Sequence, residues 1–368
     1  MALLVLGGIA SVAIQDSFRA ISASGWLLSW GLLLLYAIPV FAIVYLLDLY
    51  EREPLSLVIG ALLWGALVAP LFASIGNSGW GLLIARVADP GFASQWTPAL
   101  TAPVVEEIVK AAGVVMLYLI ARDEFDDMMD GFVYGAIVGL GFTVVEDIFY
   151  FMGAFGGRPD GVLVGFFLRV VASGLYGHVL YTGLTGMAIA RYVTHRDEPR
   201  GRRLGISSAL FLTAMFGHFL WNSPLLDFFP AQPWTGVDWA LIPVATAIKG
   251  LPLLGVGFLA VRMARRREER WLVATLQSEV ERGGMRPEEL ETLASPKRRR
   301  AAVKEMRARA GKRGADLLKR LHRQLINLAM VATRVDSPND PDLVRQRVYC
   351  TSLRNALHSM PGATPAAT

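Results

Sequence analysis

Residues 131–153 read GFVYGAIVGLGFTVVEDIFYFMG. Their only charged residues are Glu146 and Asp147. A helix needs about 20 apolar residues to cross a bilayer. The hydrocarbon core supplies no water to backbone N–H and C=O groups, so a spanning stretch of this kind satisfies them within one helix. Residues 131–153 therefore read as a transmembrane helix. Gly135, Gly139 and Gly141 leave room on it for a close-packed neighbour.

The same pattern recurs along the chain. Apolar blocks run at 25–47, 55–75, 99–121, 169–190, 205–226 and 240–263, each long enough to span. Of the 368 residues, 54% are hydrophobic and 18% charged. Soluble domains carry about 25% charged residues. The deficit excludes an ordinary soluble protein, a disordered chain and a disulfide scaffold. Continuous blocks, rather than short alternating strands, exclude a β-barrel. The predicted fold is all-α: a polytopic transmembrane helical bundle of 7–8 spans. The run from Ala2 to Ile14 is short, lacks a basic flank and a cleavage site, and reads as a retained first helix. Residues 1–24 are thus an N-terminal hydrophobic segment and a candidate extra span, with a re-entrant or signal-like segment as the alternatives. Residues 77–96 are mixed, with Arg86 and Asp89, and are expected to form an interfacial loop.

Charge divides the chain. Residues 265–368 hold 22 Lys+Arg against 12 Asp+Glu; the remainder holds 14 against 19. A transmembrane bundle over 25–264 is expected to precede a soluble, basic, mostly helical tail over 265–368. Helical spacing covers Glu268–Arg282 and Val303–Thr333, with an apolar stripe at Leu317, Leu318, Leu321, Leu325 and Leu328. Met360 to Thr368 reads as disordered. The clusters Arg191–Arg203 and Arg262–Arg267 flank spans and predict cytoplasmic loops. That rule makes the chain a multi-pass protein of the cell membrane with a cytoplasmic C-terminal tail. Lys297, Arg299 and Arg300 suit an anionic leaflet rather than a nucleic acid. The single cysteine, Cys350, excludes intramolecular disulfides and a multi-cysteine metal site.

The informative residues are the ionisable ones inside spans. A charge at mid-membrane costs roughly 2.5–3.5 kcal/mol on insertion scales, so it needs a partner or a task. Glu106, Glu107 and Lys110 lie in one span, Glu146 and Asp147 in the next. His178, His218 with Asn222, and Lys249 lie in three others. Counted from the outer ends, these groups level out about 10 Å deep. Glu106/Lys110, His178/Thr182 and His218/Asn222 are i,i+4 pairs, each on one helix face. A lone intramembrane histidine is ordinarily interhelical glue; two at the depth of the carboxylates argue for a site. Adjacent carboxylates in low dielectric suit a general base, a metal-ligand pair or a proton relay.

These residues resemble the PrsW family of intramembrane proteases, which is distantly similar to the CAAX-protease and bacteriocin-processing proteins. Glu106-Glu107-Ile108-Val109-Lys110 is similar to its EExxK motif. Phe142…Glu146, in a glycine-rich helix, resembles its FxxxE motif. Gly177-His178…Thr182 resembles the third motif and His218…Asn222 the HxxxN fourth. The turn Asp48…Glu51-Arg52-Glu53-Pro54 is also similar. The resemblance covers roughly residues 30–265. Asp147 departs from it, standing where the family often has Asn.

The resemblance implies an intramembrane endopeptidase acting on a membrane-tethered protein in regulated signalling, such as a single-pass anti-sigma factor. No Ser–His–acid set is evident in the spans, so the pattern fits carboxylate-activated water. Glu106 or Glu107 is the expected base, with Lys110 holding the pair. His178 and Glu146 would position water or bind metal, and His218 and Asn222 would stabilise the oxyanion. Two His with Glu suit zinc, with Glu107, Glu146, His178 and His218 as candidate ligands. HExxH is absent, and spacing alone leaves both the metal and metal-free versions open. Intramembrane Glu, His and Lys also build proton-coupled transporters, and a non-catalytic receptor or scaffold is a further alternative.

Overall fold

The structure, a computed structural model, describes the chain except residues 48, 49, 51, 173–176, 226–235, 336 and 362–368. Part of the acidic turn at 48–54 and most of the 360–368 end thus lie outside the described residues. No strand occurs among the described residues. Contacts divide the chain into two compact units, one of residues 1–48 and 52–261, the other of 49–51 and 262–368.

In the first unit, α1 (Ala2–Ile21) and α2 (Ala23–Tyr45) are followed by α3 (Leu55–Leu63), which runs through a π-helical turn at Trp64–Val68 into α4 (Ala69–Val87). Next come α5 (Pro90–Ile120), α6 (Met128–Met152) and α7 (Pro159–Phe166), the last continuing into a π-helical turn at Phe167–Val171. The set closes with α8 (His178–Thr194), α9 (Arg200–Asn222) and α10 (Gly236–Glu281). Among the described residues, six helical stretches are long and apolar enough to cross a membrane: α1, α2, the continuous 55–87 helix, α6, α9 and α10. Helix α5 has the length, but carries Glu106, Glu107 and Lys110. Helix α8 has 17 residues and is largely enclosed.

Two sequence expectations change. Residues 77–96 are not a loop: α4 continues to Val87 and α5 begins at Pro90. Arg86 lies in the last turn of α4, where its charge complements the helix dipole. Asp89 caps α5, accepting from the N–H groups of Gly91 and Phe92 at 2.8 and 3.3 Å. The block 169–190 is not one helix either. Arg169 lies in the π-helical turn, and extended Gly177 caps a new helix that starts at His178.

Helix α6 is the most enclosed of the six, buried along most of its length. Its start is fixed by Asp127, which accepts from Met129 N–H, and by Asp130, which accepts from the N–H groups of Asp126 and Asp127 at 2.7 and 2.8 Å. Glycines set its distance from α8. A Cβ on Gly135 would lie 2.2 Å from the Thr182 carbonyl oxygen, and one on Gly139 would lie 2.2 Å from that of His178. This backbone contact presses the start of α8 onto the middle of α6.

The second unit comprises the end of α10 with α11 (Pro287–Ala294), α12 (Pro296–Arg334) and α13 (Pro341–His358). Its core gathers Leu272, Leu276, Leu293, Leu321, Leu325 and Leu328 among others, so the leucine stripe read from the sequence faces inward. Gly311, at φ +68°, kinks α12.

Candidate active site

Four helices bring the ionisable side chains together. From α5 come Glu106, Glu107 and Lys110, which are 3%, 0% and 0% exposed. Lys110 Nζ lies 2.8 Å from Glu107 Oε1 and 3.5 Å from Glu106 Oε2. It also lies over the Phe142 ring of α6, 4.1 Å from its centre. The expected Lys–carboxylate pairing is therefore present, and Glu107 is the nearer partner.

Both Glu107 oxygens are engaged. Thr182 Oγ1 on α8 donates to Oε2 at 3.2 Å, and His218 Nδ1 on α9 lies 3.1 Å from Oε1. An ionised carboxylate only accepts, so His218 Nδ1 carries the proton, and in the neutral ring Nε2 then holds a lone pair. That lone pair faces Glu106 Oε2 at 3.7 Å. Glu106 Oε1 accepts from Asn77 Nδ2 on α4 at 3.0 Å, whereas Oε2 is buried without a hydrogen bond. Two acceptors thus face one another across a gap.

His178 joins the two ends of the cluster. Its Nδ1 lies 2.8 Å from Lys110 Nζ and its Nε2 2.8 Å from Glu146 Oε2. The Lys110 ammonium has no acceptor capacity, so Nδ1 accepts and Nε2–H donates to Glu146. The two histidine rings meet edge to face at 4.9 Å, and Tyr181 stacks on His218 at 5.1 Å.

Asn77, Tyr181 and Arg169 are additions that the sequence reading missed. Arg169 Nη2 donates to Glu146 Oε2 at 2.8 Å, and Nε donates to Asp147 Oδ1 at 2.5 Å. Asp147, where the sequence departs from the family pattern, thereby acquires a partner. An arginine within the apolar run 162–172 was the available signal. Asn222 ends α9 one turn beyond His218, half-buried; among the described residues it makes no hydrogen bond to the cluster. Lys249 stands apart from it, donating to the Ser223 carbonyl oxygen at 3.1 Å.

Ligand atoms of Glu106, His178 and His218 all lie within 4.8 Å of one another. Two imidazoles and a carboxylate are a donor set that suits zinc. Glu106 Oε2, which accepts no hydrogen bond and has the Lys110 ammonium at 3.5 Å, and the His218 lone pair fit a cation between them. Glu107 on the far nitrogen of His218 is the outer-shell carboxylate that metal-bound histidines ordinarily have. The converging set contains Glu106, whereas Glu107 and Glu146, candidates from spacing, are held by other side chains.

The fold is that of a polytopic helical membrane protein, and the buried cluster of carboxylates and imidazoles is its candidate active site. The model of the PrsW family intramembrane metalloproteases matches residues 53–248. Protease PrsW of Geobacillus kaustophilus is 30% identical over 200 residues, covering 54% of this chain and 72% of that protein. Protease PrsW of Clostridioides difficile is 26% identical over 173 residues, covering 47% and 69%. That of Bacillus subtilis is 31% identical over 110 residues, covering 30% and 47%. No solved structure matches the chain. The chain belongs to the PrsW family of intramembrane metalloproteases.

Proposed function

We propose that the chain hydrolyses a peptide bond in a membrane-tethered protein, with Glu106, His178 and His218 holding a zinc ion. The convergence of these three buried ligands carries the reading. Zinc, when bound, would make water acidic and polarise the scissile carbonyl. Glu146 is the best-placed base: its side chain is 17% exposed against 4% and 0% for Glu106 and Glu107. It can take the proton of the attacking water and pass it to the leaving amine. For His178 to serve as a ligand, its Nδ1 lone pair, which now accepts from Lys110, would turn to the metal, while Nε2–H stays on Glu146 and leaves that carboxylate ionised as the base. Glu107 fixes the orientation of His218, and Lys110 holds Glu107. The amide of Asn222, one turn from His218, is the donor proposed for the oxyanion.

Burial of the cluster in the bundle supports a membrane-tethered substrate entering sideways, and the family resemblance implies a single-pass protein such as an anti-sigma factor, in regulated proteolysis. The basic loops support placement in the cell membrane with the tail in the cytoplasm. The test compares membrane-proteome N-termini in cells expressing wild type, Glu106→Gln or His218→Ala at matched levels. New N-termini near the ends of spans, present only with wild type, are expected. Identical N-termini in all three strains, with every variant correctly inserted, would refute proteolysis by this site.

A further inference from the structure

We infer that the first half of α12 is a docking face for an anionic lipid leaflet. Lys297, Arg300, Lys304 and Arg307 follow one another at spacings of three, four and three residues. At about 100° per residue they share one face of the helix, as a stripe about 15 Å long. All four are exposed. None makes an ion pair among the described residues, although neighbouring basic residues do. Arg298 pairs with Glu291 at 2.5 Å and Arg309 with Glu305 at 2.5 Å, both off the stripe. Acid is thus matched on the flanks and left out of the stripe.

A folding role does not explain these side chains. The inward face of α12 is supplied by Met306 and, beyond Gly311, by Leu317, Leu321, Leu325 and Leu328. Unpaired charges on one face of a small unit repel one another and destabilise it slightly, so the stripe calls for an external anion. The stretch Pro296–Leu321 contains no Phe, Tyr or Trp on which a base could stack, which argues against single-stranded nucleic acid. A planar leaflet matches a straight row of charges. The same chain is anchored in a bilayer, so lipid is present at high effective concentration. Each Lys or Arg at an anionic surface adds about 1 kcal/mol, a factor of about five in binding. This inference is independent of the proteolytic mechanism, because the family match ends at residue 248.

The test uses full-length protein in nanodiscs of phosphatidylcholine, with or without phosphatidylglycerol. The rates at which an amine-reactive reagent modifies Lys297 and Lys304 are read peptide by peptide. Phosphatidylglycerol is expected to slow both at least about fivefold, and high salt should abolish the protection. The R300Q/R307Q protein retains both reporter lysines and should lose most of the protection. Equal rates in the two lipids would overturn the inference. So would protection unchanged in R300Q/R307Q, or an RNA oligonucleotide in phosphatidylcholine discs protecting as well as phosphatidylglycerol does.

Discussion

Lys110→Met is the sharpest probe of the buried cluster. The ammonium is 0% exposed and touches Glu107 at 2.8 Å, Glu106 at 3.5 Å and His178 at 2.8 Å. Methionine fills similar volume but supplies no charge and no donor. Removing one partner of a buried pair costs about 3–5 kcal/mol, because the other charge stays buried without compensation. For a unit of this size each kcal/mol lowers Tm by about 2–4 °C, so a fall of about 6–20 °C is expected. The double variant Glu107→Gln/Lys110→Met removes both charges together. It should recover most of the lost stability, since a neutral pair carries no desolvation cost of this kind, while remaining inactive. Thermal unfolding in detergent at fixed pH, followed by tryptophan fluorescence, reads all four corners of the cycle. A Lys110→Met protein with the Tm of wild type would refute the argument. So would losses that simply add in the double variant, since contacting residues must couple.

Three further outcomes follow from particular contacts. Gly139→Ala places a Cβ 2.2 Å from the His178 carbonyl oxygen, and should push the start of α8 away. Substrate cleavage should fall at least about tenfold, with cross-linking between α6 and α8 reporting the displacement. Arg169→Gln leaves Glu146 and Asp147 without their cation. It should lower both Tm and cleavage, and adding Asp147→Asn should restore Tm more than cleavage. His322, buried in α12 beside Arg299, is held at about 4, well below the ordinary 6.5 of histidine, first by burial and then by the arginine. The folded tail resists a proton that the unfolded chain accepts. Its stability is therefore complete above pH 6.5 and declines as pH falls towards 4. Proteolytic susceptibility of the tail in the full-length protein should rise over that window, and less so in His322→Leu.

The spans were legible because membrane helices must be long, apolar and internally bonded. The leucine stripe of the tail was legible because its period is helical. Site residues were legible because charge is scarce in such a sequence: Glu106, Glu107, Lys110, Glu146, His178 and His218 stood out by cost alone. Their pairing was not legible. Whether Glu106 or Glu107 takes Lys110 depends on rotation of α5 against α8 and α9, which spacing does not specify. Asn77 was hidden because Arg86 and Asp89 made its helix resemble a loop. Arg169 was hidden because it was read as the edge of a span, when it lies in a π-helical turn facing α6.

Formal charge in the cluster makes an argument about metal that geometry alone does not. Glu106, Glu107, Glu146 and Asp147 face Lys110 and Arg169. With neutral histidines, four carboxylates against two cations leave an excess of two negative charges in a buried volume. Charges so placed are costly unless balanced. Either two protons or one divalent cation balances them, and the two differ in what they predict. Protons would leave the protein indifferent to chelators. A divalent cation stabilises by mass action, by about 2.7 kcal/mol when free metal is a hundredfold above its Kd. Stripping the full-length protein with a chelator should therefore lower its Tm, and zinc should restore it. Glu106→Gln removes one negative charge and the buried Oε2 that accepts no hydrogen bond. Its Tm should respond much less to chelator, and its zinc content after gel filtration should fall below one per chain. Equal metal content in wild type and Glu106→Gln, with no effect of chelator on either, would assign the balance to protons and remove zinc from the site.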